Sequence, residues 1–93
     1  MDEYNPTYEQ LKTLNLVDFD KLQIGYEGWC KVGPSYVRLI KPDKYRNIFH
    51  NHRGPAVVRK DSVSYWINNV PISRIKFFRM NSRLGRALYG VED

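Results

Sequence analysis

The sequence predicts an α+β fold: a small antiparallel β-meander of five or six strands, with a short N-terminal helix and a basic amphipathic C-terminal helix. Three observations carry that prediction. Apolar residues recur at near-helical spacing before Gln23, the period falls to two from Gln23 onward, and helical spacing returns after Ser73. Turn-forming residues punctuate the middle of the chain every few positions. With 93 residues there is material for one hydrophobic core and not for two. Residues 1–93 are therefore read as a single domain, with an acidic helical segment over 1–22, the meander over 23–72 and the second helix over 73–90.

Each element has a local reason. Asn5-Pro6 offers an N-cap with proline at the first helical position, and Thr7 with Gln10 offers a capping box as the alternative. Tyr8, Leu11, Leu14 and Leu16 follow at near-helical spacing, which predicts a helix over 6–15. Residues 17–22 carry too many acids for a strand and are too few for a well-marked helix. From Gln23, Ile24, Tyr26, Cys30 and Val32 share one strand face, with Glu27, Trp29 and Lys31 opposite. Gly25 and Gly28 mark a bulge or a close neighbour there.

Gly33-Pro34-Ser35 turns the chain into a second strand over 36–41, with Val37 and Leu39 on one face and Tyr36, Arg38 and Ile40 on the other. Pro42-Asp43-Lys44 leads to a third strand over 45–50. After a loop over 51–55, strands over 56–60 and 63–67 are joined at Asp61-Ser62. Asn68-Asn69 reads as a type I′ hairpin turn, since asparagine tolerates positive φ. Val70-Pro71-Ile72 ends the meander. Ser73 then caps a helix over 74–89. Phe77, Met80, Leu84, Ala87 and Leu88 form its apolar stripe, and Lys76, Arg79, Arg83 and Arg86 a basic one beside it. Gly85 weakens that helix by about 1 kcal/mol relative to alanine. The two helices are expected to cover one face of the sheet, with Trp29 and Trp66 filling the interface.

Charge is distributed unevenly. Fifteen Lys and Arg against ten Asp and Glu give a net charge of +5. Residues 1–30 hold six acids and two bases, whereas residues 31–86 hold thirteen bases and two acids, a net +11. An electropositive body of this kind favours an anionic partner. No run approaches the length of a membrane span, and the acidic start has no apolar core, so neither a span nor a signal peptide is expected. Cys30 is the single cysteine, which excludes an internal disulfide. A reduced, cytoplasmic protein is the expectation, with Cys30 as a small buried hydrophobe.

One stretch carries a resemblance. It runs His50-Asn51-His52-Arg53-Gly54-Pro55-Ala56-Val57-Val58, then Ser64-Tyr65-Trp66-Ile67-Asn68-Asn69-Val70-Pro71-Ile72. This resembles the MORN-related hairpin repeat of tailed-bacteriophage and bacterial proteins, in which two residues separate His-Arg from Gly-Pro-Ala and, after a turn, Tyr or Trp is followed, after two residues, by Asn-Gly. Here Gly-Pro-Ala follows the arginine directly, and the glycine turns read Asp61-Ser62 and Asn68-Asn69. The similarity spans about a quarter of the chain as one copy, short of the roughly three that a solenoid needs. It implies a β-hairpin unit and a phage origin, and it implies no activity.

Several constellations are weighed for chemistry. His50 and His52 would need a third ligand such as Glu27, Asp43 or Cys30 to hold a metal. A ribonuclease would take Glu27 or one histidine as base, the other histidine as acid and Arg53 as phosphate clamp. No Gly-rich phosphate loop or Ser-His-Asp set is visible, so no cofactor and no small-molecule substrate are expected. The polyanion signal is stronger. Lys76, Arg79, Arg83 and Arg86 suit phosphates spaced along a backbone. Arg38, Lys41, Lys44, Arg46, Arg53 and Arg59 are interleaved with Tyr36 and Tyr45, the pairing of cations and aromatics that a single-strand binder uses.

The expectation is thus a small basic non-enzymatic protein that binds RNA or single-stranded DNA through phosphate contacts. The alternative is a protein-interaction module, such as a phage inhibitor of a host defence nuclease or toxin. A small metal-independent ribonuclease is the third reading.

Overall fold

Local hydrogen bonds decide where each element starts and stops. The computed structural model describes residues 3–81. Helix α1 (Tyr8–Lys12) opens on the capping box: Thr7 Oγ1 accepts the Gln10 N–H at 3.1 Å, and Gln10 Oε1 accepts the Thr7 N–H at 2.9 Å. It is shorter than the 6–15 expected, because Thr13 turns its hydroxyl back onto the Gln10 carbonyl at 2.7 Å. Leu11 is the residue of α1 that is buried. A single 3₁₀ turn follows at Phe19–Lys21.

Six strands make one antiparallel sheet: β1 (Glu27–Val32), β2 (Ser35–Ile40), β3 (Ile48–Phe49), β4 (Val57–Val58), β5 (Val63–Ile67) and β6 (Val70–Ile72). The spatial order is β1-β2-β4-β5-β6, with β3 also paired to β2. Strand β1 begins at Glu27 rather than Gln23, since Gly25 sits at φ 92° in a turn. Gly33 at φ 56° followed by Pro34 makes the two-residue β1–β2 loop, the residue order that a type II′ turn requires. Asn68 and Asn69, at φ 48° and 68°, form the type I′ turn between β5 and β6.

The third and fourth strands depart from expectation. Asp43 Oδ1 accepts the N–H groups of Tyr45 and Arg46, each at 2.9 Å, which holds 43–46 in a turn and leaves only Ile48–Phe49 to pair. Arg59 N–H closes onto the Ser62 carbonyl at 2.8 Å, ending β4 after Val58. Strands β3 and β4 lie end to end on one edge of β2, Phe49 opposite Leu39 and Val57 opposite Val37. Between them Arg38 serves both halves: its carbonyl accepts the His50 N–H and its N–H donates to the Ala56 carbonyl. Residues 51–55 therefore leave the sheet as a loop inserted opposite a single residue.

Alternation sorts the core onto two faces. Trp29, Tyr36 and Val58 pack with Leu11 of α1 on one, and Cys30, Val37, Leu39 and Val57 lie on the other with Tyr26, Phe49 and Trp66 against them. Trp29 meets the helix as expected, whereas Trp66 faces the other way and packs edge-on to Phe49 at 5.3 Å. Tyr65, between Ser64 and Trp66, points to the helical face, where helix α2 (Arg74–Asn81) sets Phe77 on its ring at 4.5 Å. Ser73 Oγ caps α2 by accepting the Lys76 N–H at 3.1 Å. Leu84, Gly85, Ala87 and Leu88 lie outside the described residues.

Candidate functional site

Both helices lie on one face of the sheet, α1 over β1 and β2 and α2 over β5. The space between them is an open groove of about 950 Å³. Val58 and Tyr65 lie along it, Tyr8 belongs to its α1 side, and Arg59, Lys60 and Arg74 contribute cations. The cations come from separate elements: Arg59 and Lys60 from the β4–β5 turn, Arg74 from the first position of α2. Asp61 is the acid among the residues that line it. Arg59 Nη1 donates to Ser64 Oγ at 3.3 Å, and the Arg74 guanidinium stands 5.6 Å from the Phe78 ring. Positive charge is thereby held along a groove of mixed polar and apolar lining.

The other residues singled out from the sequence disperse. Lys41, Lys44, Tyr45 and Arg46 gather at the β2–β3 turn, at the opposite end of β2 from the groove. Lys41 Nζ donates to Asn47 Oδ1, Lys44 lies over the Tyr45 ring, and Arg46 Nε pairs with Asp43 at 2.8 Å. That hydrogen bond holds the Asp43 carboxyl below its ordinary range. Tyr45 is 82% exposed. Lys76 and Arg79 are exposed on α2, while Arg83 and Arg86 lie outside the described residues.

Two expected surface residues are not on the surface. Tyr36 is buried edge-on to Tyr8, and Arg38 is buried at 3% exposure. Arg38 alternates with Val37 and Leu39, so it lies on the α1 face, where Glu3 and Tyr4 lie against it. Conversely, Lys60 and Arg74 line the groove although the sequence reading did not select them. Their positions beside Arg59 in a turn and directly after an N-cap were the available signals.

The N-terminal segment also assembles a second cluster. Trp29 Nε1 donates to the Glu3 carbonyl at 2.8 Å and Asn51 Nδ2 to the Tyr4 carbonyl at 2.7 Å. The Tyr4 ring then lies 4.8 Å from the Arg38 guanidinium, 5.0 Å from that of Arg53 and 5.3 Å from the His52 ring. His50 and His52 stack at 6.0 Å. Burial pushes the His50 imidazole below its ordinary value, helped by His52 and Arg38. Its Nδ1 accepts the Asn68 N–H at 3.0 Å, so the neutral ring carries its proton on Nε2. Such a ring donates through Nε2 and cannot take a proton there, which removes His50 as a base acting through that atom.

Among the described residues, no three His, Cys, Asp or Glu side chains stand close enough to hold a metal ion. No helix among them is long and apolar enough to cross a membrane. Comparison with family models, curated proteins and solved structures finds nothing that matches this chain.

Proposed function

We propose that the protein is a non-enzymatic binder of single-stranded nucleic acid, RNA or DNA, held in the groove between α1 and α2. The observation that supports this reading is the presence of Arg59, Lys60 and Arg74 along one open groove. Phosphates pair with the three cations, and bases rest against the half-buried Tyr8 on the α1 side of the groove. Contacts to phosphates carry no sequence information, so binding tolerates many sequences.

Titration of labelled single-stranded RNA by fluorescence anisotropy tests it. Charge reversal at Arg59 and Arg74 together weakens every sequence alike, by on the order of tenfold or more at low salt. Lys44→Glu, at the far end of β2, leaves affinity nearly unchanged. Equal affinity of the double reversal and the parent protein would sink the reading.

A protein partner is the second reading, supported by Ile75 and Phe78, 68% and 53% exposed on α2, and by exposed Val70 on β6. A stoichiometric protein that survives high-salt purification, and is lost on Phe78→Ser, supports it over the first.

A further inference from the structure

The second cluster, around Tyr4, has no part in the groove, and its chemistry is that of an anion site. Arg38 is a charged side chain buried to 3% exposure. Burying a guanidinium is costly unless its donors are satisfied. Among the described residues its Nε has no hydrogen-bond partner. Its Nη2 stands 3.6 Å from a Glu3 carboxylate oxygen, a separation too long for a hydrogen bond. Nε and Nη2 form one edge of the planar guanidinium, the edge that grips an oxyanion with two parallel N–H bonds. Glu3 holds that edge at one corner only.

The surroundings supply more donors. Arg53 shares the Tyr4 ring with Arg38, and its side chain is exposed. The backbone of His50 is hydrogen-bonded to Arg38, and its neutral ring keeps an Nε2–H donor. Two carboxylates face the cluster. Glu27 acts on His50 more weakly than Arg38 does. Glu3 is the nearer anion, yet its side chain is 69% exposed, so it reaches Arg38 from solvent. Its backbone is fastened through Trp29, which leaves the carboxylate free to swing away without unfolding the segment.

We infer that Arg38, with Arg53 at the same Tyr4 ring, forms a binding site for a phosphate group, and that Glu3 is its intramolecular competitor. A tetrahedral dianion takes Nε and Nη2 of Arg38 together and gains Arg53 as a second cation, which a single carboxylate at the corner does not. The phosphate is either the terminal group of a nucleic-acid strand or a free phosphate. The site does not depend on the groove being a nucleic-acid site, and its test separates the two.

The probe is inorganic phosphate, followed through the ring resonances of His50 and His52 by NMR, with chloride at matched ionic strength as control. The parent protein shows a saturable shift with phosphate alone. Glu3→Gln, at an exposed side chain, tightens it about two- to fivefold, the range expected when one exposed competing charge is removed. Arg53→Gln weakens it, while Arg59→Glu and Arg74→Glu leave it unchanged and reduce only strand binding. Tighter binding of a 5′-phosphorylated oligonucleotide than of its 5′-hydroxyl counterpart identifies a strand terminus as the source. Equal affinities beside a saturable phosphate shift identify free phosphate. No shift beyond that of chloride, or identical phosphate affinity in Glu3→Gln and the parent protein, overturns the inference.

Discussion

Asn51 is wholly buried, and its side chain is fully engaged. Nδ2 donates to the Tyr4 and Pro55 carbonyls, and Oδ1 accepts the Arg53 N–H at 3.1 Å. One side chain thus closes the 51–55 loop and fastens the N-terminal segment to it, the arrangement in which a buried polar group stabilises rather than costs. Cys30 shows the opposite case. It is fully buried among Val37, Leu39 and Val57, and burial pushes its thiol up to about 11. A thiol reagent is therefore expected to leave the folded protein unlabelled at neutral pH and to label it once denatured; native labelling at the denatured rate would contradict the burial.

His50 predicts an acid sensitivity. Its folded pKa lies below the ordinary 6.5. As the pH falls through 6.5 the unfolded chain binds a proton that the folded ring still excludes, so stability is full above that value and declines below it, until the folded ring also protonates. Protonation also turns Nδ1 from acceptor to donor, against the Asn68 N–H. Melting temperatures will fall between about pH 7.5 and about pH 5.5, and His50→Gln will flatten that decline.

The elements divide by how local their causes are. The capping box, the Gly33-Pro34 and Asn68-Asn69 turns and the Ser73 cap depend on residues within a few positions of one another, and each was legible before the fold was known. The β2 alternation was legible for the same reason, since Val37 and Leu39 face one way and Tyr36 and Arg38 the other. The loop over 51–55 was legible as well, but that β3 and β4 share one edge of β2, and that the N-terminal segment crosses their loop, was not. The crossing is so close that a Cβ on Gly54 would lie inside contact distance of the Tyr4 carbonyl oxygen. Gly54→Ala must push the two backbones apart and is expected to cost about 1–3 kcal/mol, read as a lower urea midpoint with an unchanged slope. An unchanged midpoint would mean that the segment does not pack there. The same approach accounts for the glycine in the Gly-Pro-Ala motif without any appeal to a repeat.

For the whole molecule the decisive feature is the placement of charge. The sheet carries Lys41, Lys44 and Arg46 to one end of β2 and Arg59 and Lys60 to the other, so a sequence rich in cations yields separate patches. Three of the cations line one groove. Three phosphate contacts with a single strand predict a slope of about −2 for log affinity against log salt, and each cation removed lowers its magnitude by about 0.7. A slope near zero in a binding titration across salt would leave the groove without an electrostatic role. Both ends of the sheet are also protected. Val17 and Asp18 pair with Lys31 along β1, and Pro71 interrupts the hydrogen-bonding edge of β6, which disfavours strand addition.

By itself the sequence determined the α+β class, the turns, the caps and the side-chain alternation of β2, together with an excess of positive charge beyond residue 30. These follow from backbone preferences and short-range hydrogen bonds, which act over a few residues. Only the tertiary structure decided that Arg38 is buried while Arg59, Lys60 and Arg74 line one groove, and that Tyr4 is brought against Arg53 and His52. Those outcomes depend on which distant segment covers which face of the sheet, and packing between residues some fifty positions apart leaves no periodic trace in the chain.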